Sequence, residues 1–220
     1  MKINVLSIFP TLFSSFVETG IVRRAHEKGI LNIEVTNMRD FASDSYRTVD
    51  NYPYGGGAGM IMMVEPVVRA LESIKERGES FLLSPGGTMF DQDFARELSR
   101  KEVITLVCGR YKGVDERIRE FVDEEISIGD YILSGGEVPT MVIIESVARL
   151  LPGAVGDPES VESDSFENGL LDSPRYTRPR IFRGREVPPV LLSGNHKEIK
   201  RWRREQAIRR TKECRRDLIT

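Results

Sequence analysis

Three short glycine-rich turns carry the residue types best suited to holding a ligand: Tyr54-Gly55-Gly56-Gly57-Ala58-Gly59-Met60, Ser84-Pro85-Gly86-Gly87 and Ser134-Gly135-Gly136-Glu137. Glycine lets backbone N–H groups approach a bound molecule closely and takes positive φ without steric penalty. None of the three ends in the Gly-Lys-Ser/Thr of a loop that holds a β/γ-phosphate and magnesium, and none reads G-x-G-x-x-G after a strand. An ordinary nucleoside-triphosphate site or a Rossmann dinucleotide site is therefore disfavoured. Taken singly, each turn reads as a structural bend. Their coincidence with strand ends matters more, because open α/β sheets bind ligands in crevices outside the carboxyl ends of their strands.

The elements that must position these turns follow from hydrophobic period. Runs rich in β-branched residues at 3–9, 33–37, 81–83, 103–108 and 125–128 alternate with segments of helical period, which argues for an α/β layer with a mostly parallel sheet. Residues 67–77 read as a helix between Pro66 and Gly78, and Asp91 caps a second that reaches Arg100. Residues 137–151 read as a third, with Pro139 in its first turn and Met141, Ile144, Val147, Ala148 and Leu151 on one face. Beyond Pro152-Gly153 the periodicity dissolves. The stretch 156–169 holds five acids and no basic residue and reads as a flexible linker between a body at 1–155 and a small, mainly helical end at 170–220. In that end a helix starts at Asn195, whose pairing with Glu198 resembles a capping box.

Composition is globular, with 220 residues, 40% hydrophobic and 30% charged, which excludes a disordered or collagen-like chain. The formal charge of −2 conceals an asymmetry. Residues 1–174 carry 17 Lys/Arg against 29 Asp/Glu, a net of −12, and residues 175–220 carry 15 against 5, a net of +10. An acidic body joined to a basic end points to a polyanionic partner. Two cysteines, Cys108 and Cys214, and two histidines, His26 and His196, support neither a disulfide framework nor a transition-metal site. The N-terminal apolar run stops at Pro10 without a small-residue cleavage site and reads as a strand, and no apolar stretch approaches the roughly 18–20 residues that span a bilayer. A cytoplasmic location without a membrane partner is the expectation.

Certain segments are more specific than any periodicity. Cys108-Gly109-Arg110-Tyr111-Lys112-Gly113-Val114-Asp115-Glu116-Arg117 follows one candidate strand, and Ile128-Gly129-Asp130-Tyr131-Ile132-Leu133-Ser134-Gly135-Gly136-Glu137 follows another. With Arg47-Thr48-Val49-Asp50 ahead of the first glycine turn, Asp164-Ser165-Phe166, and Leu191-Leu192-Ser193-Gly194-Asn195-His196, they closely resemble the bacterial tRNA (guanine-N1)-methyltransferases that modify the guanine just 3′ of the anticodon. The likeness runs in order from Ile3 to about Arg210.

The resemblance implies a SPOUT-type α/β domain with a deep trefoil knot, S-adenosyl-L-methionine as cofactor, tRNA as partner, and a homodimer with its active site at the subunit interface. By similarity the cofactor site uses Leu83, Ser84, Pro85 and Gly87; Gly109 and Tyr111; and Ile128, Gly129, Asp130, Tyr131, Ile132, Leu133, Gly135, Gly136 and Pro139. The glycines admit the cofactor to backbone groups, and Ile128, Tyr131 and Leu133 offer apolar walls for adenine. Guanine N1 holds a proton at neutral pH, so transfer needs a general base. The family's base matches Asp164, and the group that stabilises charge growing on O6 matches Arg149. Arg47, Asp50, Tyr54, Gly55, Gly56, Gly57 and Gly59 resemble the loop near the target base, and Asn195, His196, Arg201 and Arg203 fall in the tRNA-holding end. Lys112 stands where the family usually has glutamate, which leaves open any magnesium role attached to that carboxylate, and Arg175 stands where relatives can have histidine. The alternatives are a non-catalytic RNA-binding protein on the same scaffold and a SPOUT methyltransferase acting on another RNA. The intact Asp164, Arg149 and glycine turns argue against the first, and the 47–60 motif against the second.

Overall fold

The computed structural model describes residues 1–156 and 164–219. The chain divides into two compact units, Met1–Gly156 and Asp157–Thr220. In chain order the first contains β1 (Lys2–Ser7), α1 (Ser14–Val17), α2 (Gly20–Glu27), β2 (Asn32–Asn37), β3 (Asp50–Asn51) and β4 (Ile61–Met62). There follow α3 (Val64–Glu72), β5 (Glu79–Met89), α4 (Gln92–Ser99), β6 (Val103–Cys108), β7 (Glu124–Ser127) and α5 (Glu137–Leu150). Five strands form one sheet in the order β2-β1-β6-β5-β7, every neighbouring pair parallel. The fold class read from the sequence, an α/β layer on a mostly parallel sheet, holds.

Strand period two splits the core into two layers. Phe81, Leu83, Leu106 and Cys108 face one apolar layer, closed by Ile21, Val22 and Ala25 of α2, Leu98 of α4, and Ile143, Ile144 and Val147 of α5. Leu6, Leu82 and Val107 face the other, closed by Val67, Ala70 and Leu71 of α3 and by Ile118. Each buried Val, Leu, Ile or Phe among them contributes about 1.5–3 kcal/mol by leaving water. Because α5 lies in the first layer against the sheet, its N-terminus is fixed beside the strand ends.

Element ends differ from the sequence reading for local reasons. β1 stops at Ser7, whose Oγ accepts the Phe9 N–H at 2.9 Å before Pro10 opens a 3₁₀ turn. α3 begins earlier, with Pro66 inside its first turn where no N–H partner is needed, and ends where the Ser73 hydroxyl donates to Ala70 O at 2.7 Å. α4 starts as expected, with Asp91 accepting the Phe94 N–H at 2.9 Å. β5 is the largest departure, because it runs through the Ser84–Gly87 turn and pairs with β7 on both sides of it.

The second unit holds β8 (Ile181–Phe182), β9 (Arg185–Glu186) and α6 (His196–Cys214). β8 and β9 pair antiparallel across Arg183-Gly184, both at positive φ, the geometry of a tight hairpin turn. Asn195 caps α6 by accepting the Glu198 N–H at 3.3 Å. Thr211, fully buried, accepts the Leu171 N–H at 2.9 Å and donates to Ala207 O at 2.7 Å, which ties the helix to the chain that precedes it. Trp202 packs on Tyr176, with ring centroids 6.5 Å apart. Of the stretch read as a linker, residues 157–163 lie outside the described residues. From Asp164 the chain is a hydrogen-bonded turn in which the Phe166 N–H donates to Leu170 O at 2.8 Å.

Candidate functional site

A cavity of about 620 Å³ opens beyond the carboxyl ends of β5, β6 and β7, a size suited to a small molecule. Three segments wall it. Leu83, Ser84, Pro85 and Gly86 come from β5, Gly109 through Val114 follow β6, and Ile128, Gly129, Tyr131 through Gly136 and Pro139 follow β7.

The first wall is a bulge. Ile126 of β7 lies opposite both Leu83 and Thr88, so the residues between them are expelled from the ladder towards the cavity. Gly87 makes the return possible, since a Cβ there would sit 2.4 Å from the Ile126 nitrogen. The third wall lies hard against the second. The Gly136 N–H donates to Gly109 O at 2.7 Å, and a Cβ on Gly136 would come within 2.8 Å of the Cys108 Cα. Main-chain atoms therefore form much of the floor.

The side chains nearby are mostly committed. The Cys108 thiol is fully buried, held by Thr140 Oγ1 at 3.2 Å, and burial pushes its pKa far up, so it is no nucleophile. Tyr111 sits at φ +64, and burial, aided by the Asp50 carboxylate beside it, raises its hydroxyl pKa. Arg110 reaches the buried Glu137 at 3.0 Å. Arg119 pairs with Glu116 and with Glu125 Oε1, each at 2.9 Å. The other carboxylate oxygen of Glu125, buried at the cavity wall, has no hydrogen-bond partner among the described residues.

The glycine turn at 54–59 is fastened to the same wall. It joins β3 to β4, and Lys112 N–H donates to Met60 O at 3.1 Å, Met62 N–H to Gly113 O at 3.0 Å, and Asp115 N–H to Met62 O at 2.9 Å. Gly59 lies under the Lys112 side chain, while Tyr54 is fully exposed. Arg47, at positive φ, pairs with Asp40 at 3.1 Å.

Of the cofactor set expected from the resemblance, all line the cavity except Gly87, which shapes the bulge from behind, and Asp130, which is exposed to solvent. Arg149 is not on the wall. It lies ten residues beyond Pro139 on α5, about 15 Å along the helix axis at 1.5 Å per residue. Asp164 belongs to the second unit, as do Asn195, His196, Arg201 and Arg203, the last four all exposed at the start of α6. Sequence reasoning did not single out Arg110, Glu116, Arg119 and Glu125 as lining residues. Arg110 and Glu116 stood inside a quoted motif, whereas no local signal marks Arg119 or Glu125, which meet only through the fold. Among the described residues no group of three or more His, Cys, Asp or Glu is placed to hold a metal ion, and no helix is long and apolar enough to cross a membrane.

Comparison with known proteins gives a single picture. The family model described as tRNA (Guanine-1)-methyltransferase TrmD matches residues 1–220. Among curated relatives, the tRNA (guanine-N(1)-)-methyltransferase of Dictyoglomus turgidum is 50% identical over 220 residues, covering 100% of this chain and 90% of the relative. That of Moorella thermoacetica is 53% identical over 225 residues with the same shares, and that of Persephonella marina is 55% identical over 215 residues, 96% of this chain and 85% of the relative.

Proposed function

This chain belongs to the tRNA (guanine-1)-methyltransferase family, and we propose that it transfers a methyl group from S-adenosyl-L-methionine to N1 of the guanine just 3′ of the anticodon in tRNA. The observation that carries the reading is the cavity at the carboxyl ends of β5, β6 and β7, walled by the three segments that resemble the family's cofactor loops. Its chemistry suits a nucleoside with a charged tail. Ile128, Tyr131 and Leu133 supply apolar surface, the bulge and the Gly109–Gly136 contact bring main chain close, and the unpartnered Glu125 oxygen calls for an N–H or O–H donor. When bound, S-adenosyl-L-methionine supplies a methyl group on a positively charged sulfur.

In this mechanism Asp164 accepts the guanine N1 proton as N1 becomes the nucleophile, and the Arg149 guanidinium donates to O6, where negative charge grows. Neither group lies on the cavity wall of the first unit. We assign them across a homodimer, an arrangement favoured by α5, whose outward side exposes Val138 (54%) and Val142 (41%) one turn apart, with Arg149 on the same side. The deep trefoil knot belongs to the same proposal, and the tight crossing of residues 135–136 over 108–110 is what favours it. The basic second unit takes tRNA phosphates, and the site of action is the cytoplasm, where tRNA is. Calorimetric titration with S-adenosyl-L-methionine, followed by mapping of the methylated nucleoside in tRNA, tests the reading. Binding plus 1-methylguanosine beside the anticodon is expected. Binding without transfer would overturn it in favour of an RNA-binding protein on the same scaffold.

A further inference from the structure

Below the cavity lies a buried carboxylate that the mechanism above does not use. Glu137 opens α5, is 1% exposed, and has both oxygens engaged. Its Oε1 accepts the Ser7 hydroxyl at 2.9 Å, from the end of β1. Its Oε2 accepts from the Arg110 guanidinium at 3.0 Å, from the segment after β6. Arg110 is further held by the Phe9 ring, 4.4 Å from its carbon to the centroid. A carboxylate in the first turn of a helix is also favoured by the helix dipole. The guanidinium lies where the segments after β6 and β7 meet. Arg110 and Gly135 form an isolated backbone bridge, and a Cβ on Gly135 would fall 2.8 Å from the Arg110 nitrogen and 2.5 Å from Glu137 Oε2. Ser7, Phe9 and Gly135 thus converge on one ion pair, of which Arg110 itself lines the cavity and Glu137 lies behind it.

We propose that Glu137 and Arg110 are positioning residues for the methyl-transfer reaction: the pair made by the buried Glu137 carboxylate with the half-buried Arg110 pins residues 109–111 to residues 134–137 and so fixes the main chain that forms the cofactor cavity. The inference rests on the reading that this cavity takes S-adenosyl-L-methionine. An Arg–carboxylate pair suits the task because the planar guanidinium bonds and stacks at once, which a lysine ammonium does not do. Removing the Arg110 guanidinium leaves the Glu137 carboxylate buried without its counter-charge.

The test compares the wild-type homodimer with Glu137→Gln, Arg110→Lys and Ser7→Ala. Calorimetry with S-adenosyl-L-methionine and with S-adenosylhomocysteine, hydrogen exchange at the Gly136 amide in the free protein, and KM for each substrate are measured. A hydrogen bond to a charged group is worth roughly a tenfold to hundredfold change in an equilibrium. Glu137→Gln is therefore expected to weaken both ligands about tenfold, to speed exchange of the Gly136 amide, and to raise KM for the cofactor while KM for tRNA stays within about twofold. Arg110→Lys in the Glu137→Gln background should add less than about a twofold further loss, because both act through one contact. Additive losses, equal rises in both KM values, or unchanged cofactor affinity in Glu137→Gln would overturn the proposal. If Glu137→Gln fails to fold, Ser7→Ala and Arg110→Lys carry the same comparison with smaller shifts. A wild-type protein that binds neither ligand would instead defeat the reading of the cavity itself, so the two failures are distinct.

Discussion

Under the proposed function the two units hold their ligands in opposite ways. In the first, recognition is built from main chain: a strand that ejects a loop and rejoins its ladder, a glycine amide bonded to the next segment, and apolar side chains at the rim. In the second, it is built from side chains on the outside, with Lys197, Lys200, Arg201, Arg203, Arg204, Arg209 and Arg210 exposed along α6 and only a thin inner stripe of Ile199, Trp202, Ala207 and Thr211. The lesson concerns tolerance. A surface of many exposed charges loses little when one is removed, whereas a main-chain cradle fails at a single atom too many.

The sharpest way to divide the units is to remove the proposed base. Asp164→Ala should lower single-turnover methyl transfer about 10³-fold, within the range of a lost general base, while calorimetry finds cofactor affinity within about twofold of wild type. Parallel loss of both would mean that Asp164 serves the cofactor cavity, and the comparison would break. Salt separates the units next. Raising it from about 50 to 200 mM should weaken tRNA binding about a hundredfold or more through phosphate contacts and alter cofactor affinity less than about threefold, as filter binding and calorimetry would report.

A single added methyl tests the cradle. Gly136→Ala drives a Cβ to 2.8 Å from the Cys108 Cα, and overpacking of about 1–3 kcal/mol predicts a loss of cofactor affinity of roughly 5- to 150-fold, with the stability of the second unit untouched. An unchanged isotherm would show that the crossing of the two segments can relax.

The smallest expected effect is electrostatic. Hydrogen bonds from Arg117 hold the Asp115 carboxyl below its ordinary range, Nε and NH2 lying 2.9 and 2.8 Å from its oxygens. A depressed acid stabilises the fold above the ordinary carboxylate pKa of about 4 and loses that contribution as pH falls through its folded value. Because Arg117 is largely exposed and solvent screens the pair, the contribution is small. Asp115→Asn should therefore lower the melting temperature slightly at pH 7 and leave it unchanged near pH 2; an equal shift at both would assign the effect to capping of the 116–121 turn.

What was legible in the sequence follows the same division. The short apolar runs at 81–83 and 103–108 and the cap at Asp91 report local physics, and the sheet and α4 appear where they were read. The continuation of β5 through Ser84–Gly87 was not legible, because proline and two glycines in sequence signal a turn and only pairing with β7 makes them a bulge. Glu137 illustrates the limit at the site. In sequence it is one acid after a glycine pair, and its partners Ser7 and Arg110 lie 130 and 27 residues away. The motif segments carried the cavity lining because loop chemistry is local, whereas Arg119 and Glu125 reach each other only after the strands are stacked.

The bulge in β5 separates what holds the sheet together from what faces the cavity. Both feet of the expelled loop stand opposite Ile126. Residues 84–87 stand outside the ladder, so the side chains at 84–86 can change without disturbing the pairing of Thr88 and Met89 with Ile126 and Ser127, while Ser84, Pro85 and Gly86 still line the cavity. A library randomising Ser84 to Gly86 should therefore stay foldable while changing what the cavity holds.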